Sequence, residues 1–260
     1  MDMWNFDTDF HNGLWCFFSE SRWHKKQLKK FSLLKGLNAY VSGYPKLDIY
    51  NEEISADAFS NWKMGKSARK RVIWAPHWSI GENALNYSTF MENYKEMFSY
   101  AKSNGEIDWI IRPHQRLQYE LVRIGLMTKE EVDSYFETWS SLENAKVSWD
   151  GDYFDIFKTS DAMITDCGSF LAEYLPTKKP ILHLINKQSI GYNEVGNKIA
   201  KSLYRIENFN ELVKVFESVV LKEEDDKFQD RIEALKVVPV NENGAGMAIY
   251  EHLKKKLGRN

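Results

Sequence analysis

The sequence contains only two cysteines, Cys16 and Cys167, and no CxxC pair. Neither a disulfide framework nor a structural zinc site is indicated, and a reducing cytoplasm is the simplest setting. An excess of one charge is missing too: 35 Lys and Arg face 37 Asp and Glu, so no global field draws in nucleic acid. Any anion recognition must be local. No apolar run approaches the roughly 18 residues that span a bilayer, and no basic-then-apolar leader follows Met1. HExxH, GxxxxGK[ST] and GxGxxG are absent, which argues against zinc hydrolysis, a P-loop and a dinucleotide fold. There is no internal repeat and no low-complexity tract.

What is present suffices for a core. Hydrophobic residues make up 43% and aromatic residues 14% of 260 residues, which suits one large core or two modest ones. From residue 70 onward, short apolar runs alternate with amphipathic stretches, the pattern of a parallel sheet covered by helices. "RVIWA" (71–75) reads as a strand and 88–105 as a helix closed by Asn104 and Gly105. "IDWIIR" (107–112) is the next strand, then one helical region from Tyr119 to Leu142, then the strand "AKVSW" (145–149). "AMIT" is a further strand, followed by a helix through Leu175 stopped by Pro176, and the strand "PILHLI" (180–185). The expected unit is a doubly wound, Rossmann-like half-barrel of about five or six strands. Residues 1–60 mix aromatics with bases without a clear strand period, apart from a strand and turn in 38–50. Three segments are expected: 1–65 as an N-terminal part and linker, 66–244 as the Rossmann-like unit, and 245–260 as a helix packing back toward the N-terminal part. Ile249, Leu253 and Leu257 share one face of that helix.

The polar outliers fall just past strand ends. His77 follows "VIWAP", Arg112 and His114 follow "DWII", and Asp166, Cys167, Gly168 and Ser169 follow "AMIT". In a parallel sheet these loops open on one edge, where ligands bind. A positioned histidine moves a proton near neutral pH and contributes ~100- to 10,000-fold in rate. Arg112 offers a planar fork for phosphate oxygens, and a helix start after Cys167 offers N–H groups to an anion. Each residue also has a structural reading, as a loop anchor or an N-cap. The coincidence at one edge favours a site suited to a diphosphate. Glu173 lies one helical turn beyond Ser169 and faces either the cleft or the core edge. His183 reads as a satisfied core histidine and Cys167 as a small loop residue; His11, His24 and His252 receive no role.

"VIWAPHWS", "WIIRPHQRL", "YFDIFKTSDAMITDCGSFLAEYLPTKKPILHL" and the late "NENGAG" resemble the CDP-glycerol glycerophosphotransferase family of teichoic acid and capsule synthesis. The resemblance covers most of residues 38–250. It implies an α/β, GT-B type architecture, here a C-terminal Rossmann-like domain with only a remnant of the N-terminal acceptor domain. It also implies transfer of glycerol phosphate from CDP-glycerol, or a related CDP-alcohol, to a hydroxyl of a polymer or lipid-linked acceptor, with release of CMP. By motif, His77 becomes the base near the acceptor and Arg112 and His114 lie near the pyrophosphate. Asp166, Gly168, Ser169 and Glu173 belong to the block that holds the phosphates and reaches the ribose or glycerol. The usual Ser-Ser pair after the Asp is Gly168-Ser169 here, and "RPHQ" replaces the commoner "HP" arrangement. No cofactor is marked, and Mg²⁺ stays open. Two other readings also stay open: a nucleotide-sugar glycosyltransferase of the GT-B type, and a nucleotide-binding protein without transfer activity. The basic, aromatic "SESRWHKKQLKK" either lies on the inner, anionic face of the cell membrane or forms an exposed edge.

Overall fold

A computed structural model describes residues 6–81 and 85–258. The chain forms two compact units, Met1–Glu53 with Glu233–Asn260, and Ile54–Ile232. Both divisions fall about twelve residues earlier than the expected 65/66 and 244/245. Trp62 belongs with the second unit because its indole N–H donates to Thr159 Oγ1 at 2.7 Å. Asn241 belongs with the first, its amide donating to Ser42 O at 3.0 Å.

The first unit contains two short parallel strands, β1 (Phe17–Ser19) and β2 (Ala39–Val41), joined by a helix over Arg22–Phe31. Ser21 caps that helix by accepting the His24 N–H at 3.2 Å. The helix carries Arg22, Lys25, Lys26, Lys29 and Lys30, has no acidic residue, and buries only Leu28. Trp15, Leu33 and Leu37 are exposed nearby in sequence. In the same unit the helix Ala245–Lys256 begins on Asp48, whose two carboxylate oxygens accept the N–H groups of Ala245 (2.6 Å) and Gly246 (2.8 Å). A carboxylate there also suits the positive end of the helix dipole. Gly43, at φ +92°, sits so close that a Cβ would come within 3.2 Å of Ala245 Cβ. "NENGAG" is thus a capping arrangement. Ile249 and Leu253 are half-buried, whereas Leu257 lies past the helix end and is exposed, so it does not share their face.

The second unit is built on a six-stranded sheet: β3 (Lys70–Ala75), β4 (Ile107–Ile111), β5 (Ala145–Val147), β6 (Ala162–Thr165), β7 (Ile181–Leu184) and β8 (Tyr204–Ile206). All pairings are parallel, in the order β5-β4-β3-β6-β7-β8. The sheet is open, with β5 and β8 at its edges, so the expected half-barrel is not formed. Val72 to Ala75 and all of β4 are fully buried, which is why these strands, Asp108 apart, read as apolar runs without alternation. Helices pack a large aromatic core on the sheet. Trp74 stacks on Phe90 (centroids 5.8 Å apart) and Trp109 on Phe216 (5.7 Å). Such rings each remove ~150–250 Å² from water.

The helix Phe90–Ser103 follows the expected pattern, burying Phe90, Asn93, Met97 and Ala101 along one side. The region 119–142 is two helices, Leu117–Arg123 and Lys129–Ser141, not one. Gly125 at φ +72° breaks the chain, and Thr128 and Glu131 form a capping box that starts the second helix. The chain runs outward from β3 to β5, then returns to β6 and continues to β8. The reversal falls between β3 and β6, where a doubly wound sheet opens its binding crevice beyond the carboxyl ends of the strands.

Candidate active site

Three loops leave adjacent strand ends around that reversal. Ala75 pairs with Thr165 in register, and Thr165 Oγ1 donates to Ala75 O at 2.6 Å. The loop after β4 is laced to the loop after β3: the Arg112 N–H donates to Trp74 O (2.7 Å) and the His114 N–H to Pro76 O (3.0 Å). His77 and His114 consequently face each other with ring centroids 5.5 Å apart, bordered by Trp78 and Tyr87. Arg116 lies over the Trp78 ring at 3.9 Å.

Each imidazole is fixed through Nδ1. His77 Nδ1 accepts the Ser79 N–H (3.2 Å) and lies 2.7 Å from Ser79 Oγ, and His114 Nδ1 accepts the Arg116 N–H (3.1 Å). Burial, and secondarily the neighbouring His114, push the pKa of His77 down to about 4. That of His114 is lowered by burial and by Arg116. Both rings are therefore uncharged near neutral pH.

Asp166 was expected to bind substrate, and the structure turns it inward. It is fully buried, and its oxygens accept the N–H of His77 (2.6 Å), the N–H of Thr89 (2.6 Å) and the Thr89 hydroxyl (3.0 Å). It ties the loop after β3 and the start of the following helix to β6. Burial raises its pKa to about 7, against the opposing effect of those donors. Arg112 is likewise turned to the protein: Nη1 donates to Ser148 Oγ at 3.0 Å, Nη2 donates to Asp150 O, and the guanidinium lies 4.4 Å above the Tyr153 ring. Tyr153 in turn donates its hydroxyl to Glu173, which is also buried. Arg112, Tyr153 and Glu173 form one buried, linked group.

Gly168 and Ser169 begin the helix Gly168–Tyr174, which passes into a 3₁₀ turn carrying Pro176. Ser169 is exposed, and Gly168 sits against Tyr192, where an added Cβ would make ordinary contact at 3.4 Å. Tyr87 and Tyr192 stack in parallel beside it, 5.4 Å apart. Sequence reading missed this pair, although both tyrosines lie in loops flanked by small polar residues. His183 is only half satisfied: Nε2 meets the Tyr192 hydroxyl at 3.0 Å, while buried Nδ1 has no partner among the described residues. It borders a cavity of about 80 Å³ together with Asp166 and Arg205. A larger groove of about 670 Å³ opens beside Ile80 and Ser88. Among the described residues no three His, Cys, Asp or Glu side chains group as a metal site, and no helix is long and apolar enough to cross a membrane.

Of the seven expected site residues, the structure brings His77 and His114 together, ties His77 to Asp166, links Arg112 to Glu173 through Tyr153, and places Gly168 and Ser169 at the start of the helix after β6. The fold is α/β of the GT-B type. The wall teichoic acid polymerase TagF matches 96% of this chain and 62% of its own, at 16% identity and a TM-score of 0.59. A putative UDP-N-acetylglucosamine 2-epimerase from Listeria monocytogenes matches 92% of this chain and 59% of its own, at 15% identity and a TM-score of 0.55. The S. aureus MnaA structure with UDP matches 95% and 62%, also at 15% identity and 0.55. The chain thus spans about three fifths of the length of the solved structures it matches. No curated protein matches it in sequence. The family model described as CDP-Glycerol:Poly(glycerophosphate) glycerophosphotransferase matches residues 11–253, nearly the whole chain, and the protein belongs to that family.

Proposed function

We propose that the second unit carries a glycerophosphotransferase site, in which an acceptor hydroxyl attacks the glycerol-bearing phosphorus of CDP-glycerol, or of a related CDP-alcohol, and CMP leaves. The observation that carries this reading is the His77–His114 pair at the sheet's reversal point, with the Gly168–Ser169 helix start following the adjacent strand β6, in a chain of this family. Phosphoryl transfer depends mainly on positioning and on stabilising phosphate charge. Two fixed imidazoles and the N–H groups of a helix start are suited to that task. Arg112 and Glu173 hold Tyr153 as the opposite wall. A TagF variant has been solved after a soak with CDPG, which favours the same class of donor here. Mg²⁺ stays open as an added charge on the diphosphate.

The acceptor is a hydroxyl of a cell-wall or capsular polymer, free or lipid-linked, handled in the cytoplasm at the inner membrane face. The all-basic helix Arg22–Phe31, with exposed Trp15, Leu33 and Leu37, fits an anionic bilayer surface. Flotation with anionic liposomes that is lost at high salt is expected, and no flotation at low salt removes the membrane from the reading.

The deciding assay supplies CDP-glycerol and membranes from the protein's own source and follows released CMP and a phosphodiester product. A second reading, a nucleotide-sugar transferase, is favoured by the likeness to UDP-N-acetylglucosamine 2-epimerases. UDP release with a glycosidic product would replace the first reading by this one. Calorimetric binding of CDP-glycerol without turnover would reduce the function to nucleotide binding.

A further inference from the structure

The two site histidines share a tether that decides where their protons lie. A backbone N–H can only donate, so the Ser79 N–H at His77 Nδ1 (3.2 Å) and the Arg116 N–H at His114 Nδ1 (3.1 Å) each require a lone pair on that nitrogen. The Ser79 hydroxyl strengthens the requirement at His77. Its oxygen already accepts the Tyr87 N–H at 2.9 Å, which leaves its hydrogen to point at Nδ1, 2.7 Å away. A neutral imidazole has one N–H, and with Nδ1 accepting, that N–H is Nε2. Among the described residues Nε2 of neither ring has a hydrogen-bond partner, and His114 is only half-buried.

We propose that His77 and His114 act as a pair of Nε2–H donors to phosphate oxygens, with the Ser79 and Arg116 N–H groups fixing the tautomer, and that His77 is not the base. This rests on the glycerophosphotransferase reading above for the identity of the phosphate. An Nε2–H ring has no lone pair to offer the acceptor hydroxyl. The O–P bond then forms at the glycerol-bearing phosphorus as the bond to the CMP oxygen breaks. Its electron pair stays on CMP, and the hydroxyl proton passes to the freed CMP phosphate.

The test is long-range ¹H–¹⁵N correlation on the full chain labelled with ¹⁵N-histidine, at pH 7. His77→Gln and His114→Gln assign the signals by their disappearance, and the unsubstituted protein gives the readout whether or not either variant folds. Both rings are expected in the Nε2–H form, with the Nε2–H signals moving saturably on titration with inorganic pyrophosphate and, separately, with CDP-glycerol. An Nδ1–H form or an imidazolium at His77 overturns the proposal, as do Nε2–H signals that neither anion moves. A response to pyrophosphate but not to CDP-glycerol upholds the donor pair and counts against the glycerophosphotransferase reading.

Discussion

The two sides of the cleft are held by opposite means. Between β3 and β6 a buried carboxylate, Asp166, gathers two backbone N–H groups and a hydroxyl. Between β4 and β5 a buried cation, Arg112, gathers a hydroxyl, a carbonyl and an aromatic face. In each case a buried ionisable group is held by hydrogen bonds within the protein and fixes the loop that carries a neutral imidazole. Conspicuous charge at a strand end here marks what holds the loop still.

The largest effect is expected on the carboxylate side. Asp166→Ala leaves three buried donors without an acceptor, so unfolding in urea should show a loss of about 3 kcal/mol, together with loss of CMP release. Unchanged stability would mean that the loop does not depend on Asp166. His77→Ala should leave the urea midpoint near that of the parent while CMP release falls ~100- to 1,000-fold, the scale of one removed donor at a charged transition state. Turnover at the parental rate would take His77 out of the site.

On the cation side, Arg112→Lys keeps the charge but loses the fork and the flat contact with Tyr153. A stability loss of about 1–2 kcal/mol is expected, with weaker CDP-glycerol binding by calorimetry. Equal binding in both proteins would show that the Tyr153 wall is not used.

Acid separates the two sides further. Burial holds His77 and His183 down at about 4 in the folded chain against 6.5 for the free ring, so their contribution is full above pH 6.5 and is lost as pH falls toward 4. Asp166, raised from 3.8 to about 7, acts in the opposite sense and recovers stability over the same fall. Two rings outweigh one carboxyl, so Tm should drop between pH 6.5 and 4.5. His77→Gln should flatten that slope and Arg112→Lys should leave it alone; a slope identical in His77→Gln would place the proton uptake elsewhere. The smallest change is Ser169→Ala, where an exposed hydroxyl is removed and the backbone N–H groups stay. A few-fold rise in KM at unchanged kcat is expected, and a collapse of kcat would make the hydroxyl itself essential.

The strands at 72–75 and 107–111 were legible because parallel strands buried on both faces are written as largely apolar runs, here interrupted only by Asp108. The positions of His77, Arg112, His114 and Gly168 at one edge followed from the same reading. β1 and β8 were not legible, whereas the equally short β2 and β5 fall inside the strands read in 38–50 and 145–149. The break between the helices on either side of Gly125 was written in the sequence as Thr128-x-x-Glu131, a cap signature overshadowed by the long amphipathic stretch. The inward turn of Asp166, Arg112 and Glu173 could not be read, because what a charge faces depends on which loops the sheet brings beside it. Nor could the tautomer, which is set by two backbone N–H groups.

The Asp48 cap on the last helix joins groups 197 residues apart in the chain. On the ribosome, at ~5–20 residues per second, Asp48 waits roughly 10 to 40 s for Ala245 to be made. During that interval the second unit, which spans residues 54 to 232 without interruption, is free to fold first. Truncation from the carboxyl end should therefore leave nascent chains with a finished sheet and an unfinished amino-terminal segment, a natural substrate for chaperones and proteases.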